Sequence, residues 1–85
     1  MIEKLFGLEK ATIQQCQELA RKCSVHNMDC TFDLCGPLGT KKAKWVDPYL
    51  GFFELEGHKG LFPVRELVFA PNLWCENVMP AEKEH

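Results

Sequence analysis

Long apolar runs are missing from this chain, and so is any block of a single charge. No stretch approaches the ~20 consecutive apolar residues that a membrane-crossing helix needs, so contact with a membrane is not expected. The opening residues Met1-Ile2-Glu3-Lys4-Leu5-Phe6 carry one acid and one base and lead into no apolar stretch, unlike an export signal. A cytoplasmic location is the expectation. The ten basic residues are scattered apart from Lys41, Lys42 and Lys44, and the formal net charge is -2. A concentrated positive surface for a phosphate backbone is therefore not a global feature. Internal repeats and flexible linkers are absent too. The glycines form no phosphate cradle, because Gly36-x-x-Gly39-Thr40-Lys41 lacks both the longer loop and the Gly-Lys-Ser/Thr order of a P-loop.

What is present supports a hydrophobic core. Of 85 residues, 46% are hydrophobic and 26% charged, a balance that excludes intrinsic disorder. The length suits a single compact domain over residues 1–85, with a thin core and a frayed polar tail at 80–85. Cysteines stand at 16, 23, 30, 35 and 75. An odd number without an export signal argues against a disulfide scaffold. Most are expected to be buried small apolar residues.

Periodicity places the elements. Ile13, Cys16, Leu19, Ala20 and Cys23 recur at three- and four-residue spacings, the pattern of an amphipathic helix. Thr12 and Gln15 are placed for a capping box at its start, and its end falls between Ser24 and Asn27. A longer helix from Glu3 would align Leu5 and Leu8 on the same face, with Gly7 weakening it. Cys30, Phe32 and Leu34 alternate as in a strand, and Gly36-Pro37-Leu38-Gly39-Thr40 reads as a turn. Residues 42–46 suit a strand with either Ala43 and Trp45 or Lys42, Lys44 and Val46 facing inward. Asp47-Pro48-Tyr49 is a turn signal. Phe53 and Leu55 alternate with Glu54 and Glu56 in the best strand candidate. The chain then reverses at Gly57–Gly60 and returns through Leu61–Val64, with Pro63 at an edge, bulge or strand end. Arg65–Phe69 continues as strand or short turn, and Leu73-Trp74-Cys75 covers one edge of the core. These elements predict an α+β fold: an N-terminal amphipathic helix packed on a small, mainly antiparallel sheet, with a curled or barrel-like sheet as the competing arrangement.

Three sets of residues bear on chemistry. Cys23, His26, Cys30 and Cys35 offer the thiolate and imidazole ligands of a structural zinc site. Their spacing is not the usual pair of short arms, and helix and strand periodicity accounts for Cys23 and Cys30 without a metal. No cofactor is therefore expected, with zinc as the alternative. Lys41, Lys42 and Lys44 beside Trp45 offer phosphate contacts and a base-stacking ring; a solvated strand face with Trp45 in the core explains them equally. Glu54 and Glu56 share a strand face but alternate with apolar residues, which is a solvated face rather than an acid–base pair. A nucleophilic Cys–His pair drawn from His26 or His58 has no positioning signal, so catalytic residues are not assigned.

One short resemblance is present. Gly60-Leu61-Phe62-Pro63 resembles the Gly-Leu-Phe-Pro segment near the end of many SH3 domains. It covers four residues. Val64-Arg65-Glu66 departs from the usual Ser-Asn-Tyr continuation, and the paired tryptophans and acidic-aromatic loop are missing. The resemblance implies a small curled sheet, and proline-rich peptide recognition does not carry over with it. The functional expectation is a non-enzymatic protein-interaction or regulatory module. Its anchors are Trp45, Tyr49, Phe52 and Trp74, and its partner is an unidentified protein or a second copy of the chain. Size and the lack of catalytic motifs also fit an accessory protein of a phage or mobile element. Nucleic-acid binding through Lys41–Trp45 and a zinc-stabilised binding domain are the alternatives.

Overall fold

In the computed structural model, which describes residues 10–37, 39–67 and 72–82, the helix starts at its capping box. The Gln15 backbone N–H donates to the Thr12 hydroxyl at 3.0 Å, and the Thr12 N–H donates to the Gln15 side-chain oxygen at 2.9 Å. Two backbone donors that no helical carbonyl can reach are thereby satisfied. α1 (Ile13–Val25) follows and buries Cys16, Leu19, Ala20 and Cys23. It does not extend back toward Glu3, because Ala11 is in a β-bridge with Cys75; Leu5, Gly7 and Leu8 lie outside the described residues. Its C-cap, His26, leads through Asn27 at φ 57° into the sheet.

Five strands follow: β1 (Met28–Gly36), β2 (Gly39–Asp47), β3 (Phe52–Leu55), β4 (Leu61–Pro63) and β5 (Trp74–Glu82). Every pairing is antiparallel and the order is β4-β3-β2-β1-β5, an open sheet with two edges rather than a barrel. The chain meanders through four strands, takes a 3-10 turn at Val64–Glu66, and returns so that β5 pairs with β1. The segment Gly60–Pro63 supplies β4, with Pro63 at its end, where the missing N–H costs no ladder bond.

α1 packs on β1 and β5. Beneath and beside it Phe32, Trp45 and Phe53 form an aromatic cluster with ring centroids 5.3–5.4 Å apart, extended by Phe62 against Phe53. Burial decides the face of β2 that the sequence left open. Ala43 and Trp45 point inward, which sends Lys42 and Lys44 to the opposite face, free of the helix.

β5 is longer than the sequence suggested. The sequence pattern gives only Leu73–Cys75 as an edge, yet the strand continues to Glu82 and takes in the first part of the segment expected to fray. The reason is a bulge. Between Thr31 and Asp33 of β1, the partners on β5 step from Met79 to Glu76, so β5 carries one extra residue. Asn77 takes the left-handed conformation at φ 51° and absorbs it. Cys75 and Val78, three residues apart, thus both face the core at 0% exposure, which breaks two-residue alternation.

Candidate interaction surface at the clamped turn

The β2–β3 turn is fixed from several directions. Asp47 accepts the backbone N–H groups of Tyr49 and Leu50 on one carboxylate oxygen, at 3.1 and 3.0 Å. Gly51 N–H donates to the Asp47 carbonyl at 2.8 Å, and the Gly51 carbonyl accepts from Val64 N–H at 2.7 Å. Gly51 sits at φ +82°, a conformation L side chains avoid, and an added Cβ would stand 3.4 Å from both Gln17 Nε2 and Val64 Cβ. The helix completes the clamp. Gln17 Nε2 and Arg21 Nε both donate to the Pro48 carbonyl, at 2.7 and 3.3 Å, and Tyr49 OH donates to the Arg21 carbonyl at 3.4 Å. The Arg21 guanidinium stands over the Tyr49 ring, 6.0 Å from its centroid.

This ordered turn ends in apolar side chains. Tyr49 is 55% exposed and Leu50 73%, and Val46 precedes them on β2. Val25, one helical turn beyond Arg21, is also exposed. Four of the six large hydrophobic residues exposed among the described residues thus gather at one end of the fold. Phe52, half-buried, points away from core-facing Phe53 and onto the uncovered sheet face beside them.

The uncovered face itself is charged. Asp29, Thr31 and Asp33 lie on β1, Lys42 and Lys44 on β2, and Glu54 on β3, with Glu56 just beyond. Lys44 is paired across strands with Thr31 and Glu54, and its Nζ lies 3.4 Å from Asp29. A groove of about 730 Å³ runs over this face, lined by Asp33, Lys42, Lys44, Glu54, Glu56 and His58 among others. The two lysines are flanked by carboxylates on both sides, so the strip is alternating in sign rather than basic.

Placement sorts the residues singled out in the sequence. Tyr49 and Phe52 come together at the clamped end. Trp45 does not join them: it is 3% exposed, and its Nε1 donates to Cys16 Sγ at 3.3 Å. Its ring is therefore unavailable as a protein anchor or a base-stacking surface. Trp74 pairs with Cys35 near the β1–β2 hairpin, at the other end of the sheet, where its Nε1 donates to Glu76 at 2.5 Å and Lys10 Nζ lies 4.6 Å from its ring. Lys41 is exposed in β2 across from Leu34, and it alternates with Lys42 rather than sharing its face.

The zinc ligand set does not converge. Cys23 and Cys30 are buried in the core, His26 is an exposed helix cap, and Cys35 accepts from the Thr40 hydroxyl at 3.6 Å. Among the described residues no group of three or more Cys, His, Asp or Glu is arranged to hold a metal ion. Cys16, Cys23 and Cys30 are also poor nucleophiles. Burial pushes Cys23 and Cys30 above the ordinary thiol range; for Cys16 the neighbouring Cys75 thiol is the first cause and burial the second. His58 is exposed and stacks edge-on against Phe62 at 5.1 Å. The apolar turn was legible only in part: Asp47-Pro48-Tyr49 gave the turn, but nothing in the pattern gave the clamp from Gln17 and Arg21. No family model, no curated protein and no solved structure is similar to this chain.

Proposed function

We propose that the protein is a non-enzymatic interaction module whose contact surface centres on Tyr49 and Leu50. The supporting observation is the exposure of these two side chains on a turn whose backbone is already held by the helix. An apolar anchor normally loses affinity to the cost of ordering it on binding; a clamped turn has met much of that cost in the free protein. Tyrosine and arginine are enriched at energetic centres of interfaces, and Tyr49 and Arg21 are stacked here. Val25, Val46 and Phe52 widen the apolar contact, and the charged sheet face beside it provides a polar margin that steers and orients the partner.

The test is quantitative capture from native lysate by the wild-type protein, a Tyr49→Ala/Leu50→Asp variant and a Lys42→Ala/Lys44→Ala variant. Reproducible capture lost only in the first variant supports the turn as the contact surface. Equal capture by all three removes the turn from consideration. Loss confined to the lysine variant moves the contact to the charged face.

A further inference from the structure

Charge divides the uncovered face of the sheet into columns. Alternation against Ala43 and Trp45 puts Lys42, Lys44 and Val46 on that face of β2. Alternation against Phe53 puts Phe52 and Glu54 on that face of β3, with Glu56 continuing the column. The columns are in register. Lys44 stands opposite Glu54, and Glu56, whose N–H donates to the Lys42 carbonyl at 2.9 Å, stands opposite Lys42. Lys44 turns away from Glu54 to pair with Asp29 at 3.4 Å. Among the described residues Lys42, Glu54 and Glu56 make no ion pair, and all three are exposed. A basic column beside an acidic one is complementary to a copy of itself turned over.

We infer that this face is a self-association surface whose partner is a second copy of the chain, the two sheets stacked about a two-fold axis that runs parallel to the strands between β2 and β3. Rotation about that axis keeps each residue's height along the strands and exchanges the columns. Lys44 then faces the partner's Glu54, Lys42 faces the partner's Glu56, and the same contacts recur by symmetry. In the next row the exposed Val46 faces the partner's Phe52. Leu61, exposed and opposite Glu54 on β4, comes over the partner's Thr31, which lies opposite Lys44 on β1. Sheets stacked this way have nearly aligned strands about 10 Å apart.

Charge selects this axis. A two-fold axis running across the strands would set lysine column on lysine column and glutamate on glutamate, and like charges brought together at an interface repel by several kcal/mol. The edges are poorer routes to pairing. Each edge strand carries a proline, Pro63 in β4 and Pro80 in β5, and Ala11 is bridged to Cys75 outside β5. Tyr49 takes no part: its hydroxyl bonds to α1, on the opposite face. Self-association therefore leaves the Tyr49–Leu50 surface open, and the two surfaces are separable by mutation. Desolvation offsets much of the attraction between charged faces. The dimer is accordingly a weak one, formed at high micromolar concentration, and the chain is a monomer at the low micromolar concentrations of an unfolding titration.

The experiment is sedimentation velocity on the full chain from low to high micromolar concentration, at low and at high salt. The wild type is expected to shift from monomer to dimer with concentration, less so as salt rises. Lys42→Glu/Lys44→Glu and Glu54→Lys/Glu56→Lys are each expected to weaken self-association by more than about tenfold. An equimolar mixture of the two is expected to restore the dimer, which also shows that both are folded. The chain carrying all four changes keeps the net charge of -2 and is expected to pair with itself but not with the wild type, because bases then face bases. Mixed dimers are read by native mass spectrometry. A wild type that stays monomeric throughout, reversals that leave its dimer unchanged, or a four-change chain that pairs with the wild type as readily as with itself would each overturn the inference. Tyr49→Ala/Leu50→Asp is expected to dimerise like the wild type; loss of the dimer there would place the contact at the turn instead.

Discussion

Trp45 and Cys16 are joined by a buried hydrogen bond, Nε1 to Sγ at 3.3 Å, that links the middle of the sheet to the first turns of the helix. The same indole packs against Phe32 and Phe53. One side chain therefore serves both the aromatic cluster and the helix–sheet seam. Trp45→Ala is expected to cost about 3–5 kcal/mol, as for large aromatic deletions in cores. Trp45→Phe keeps most of the packing and removes the donor, so its cost is expected at about 1–2 kcal/mol. Urea titrations followed by far-UV circular dichroism check both. Equal stability of all three proteins would show that the indole is not a core member.

The capping box gives a second prediction. Thr12→Ala removes the acceptor of the Gln15 N–H and is expected to destabilise by about 1 kcal/mol. Gln15→Ala removes only the reciprocal bond to Thr12 N–H, and its effect is expected to be smaller. The two bonds form one device, so the double variant is expected to lose less than the sum. A denaturant-melt cycle measures the coupling.

A third prediction concerns the bulge. Asn77 holds φ 51°, where a β-branched residue is strained by roughly 1–2 kcal/mol. It also donates from Nδ2 to Asp33 Oδ2 at 2.8 Å. Asn77→Val is expected to lose about 2 kcal/mol from the strain and the bond together. Asn77→Gly relieves the strain and loses the bond, so it is expected within about 1 kcal/mol of wild type. Thermal unfolding of the pair separates the two contributions. If valine is tolerated as well as glycine, the left-handed residue is not what sets the register of β5.

That bulge also explains where sequence reasoning stopped. The helix, the turn at Asp47-Pro48-Tyr49 and β3 were legible because each has its own local period or turn chemistry. β5 was hidden because Cys75 and Val78 face one side three residues apart, a spacing that breaks strand alternation and belongs to a helix face instead. Trp45 was ambiguous for a different reason: alternation gives two faces for β2 and does not say which one the helix covers. The interaction surface depends on bonds from Gln17 and Arg21 to Pro48, which are 31 and 27 residues away. Long-range clamps leave no local signal. The lysines looked like a patch in one dimension, and only strand pairing revealed the carboxylates on either side.

Those flanking carboxylates make the fourth prediction. Lys44 is 45% exposed and pairs with Asp29 at 3.4 Å, an arrangement worth about 0–1 kcal/mol when open to solvent. Lys42→Ala/Lys44→Ala is therefore expected to shift stability by less than about 1 kcal/mol. It is also expected to leave retention on a single-stranded nucleic-acid column unchanged from a weak wild-type baseline. Strong wild-type retention that falls with added salt and disappears in this variant would instead favour nucleic-acid binding.

The fifth prediction follows from the protonated thiols of the helix–sheet seam. Cys16 is raised first by the neighbouring Cys75 thiol and then by burial, and Cys30 first by burial. Below the pKa of an unfolded thiol, both states hold the proton and the stability from the buried thiols is fully present. Above it the unfolded chain releases protons that the folded chain retains, so the unfolded state gains. Stability is then lost as pH rises toward the folded-state value. The window opens near pH 9, the ordinary thiol value. Each strongly raised thiol contributes a slope of at most about 1.4 kcal/mol per pH unit. Exposed lysines titrate in the same region, so the informative quantity is the difference between the wild type and Cys16→Ala or Cys30→Ala. Urea melts at pH 7.5–10.5 under reducing conditions are expected to show the wild type losing stability more steeply than either variant, with all three curves parallel below the window. Parallel curves throughout would mean that these thiols ionise as readily in the folded protein as in the unfolded chain, and the closed seam around them would have to be abandoned.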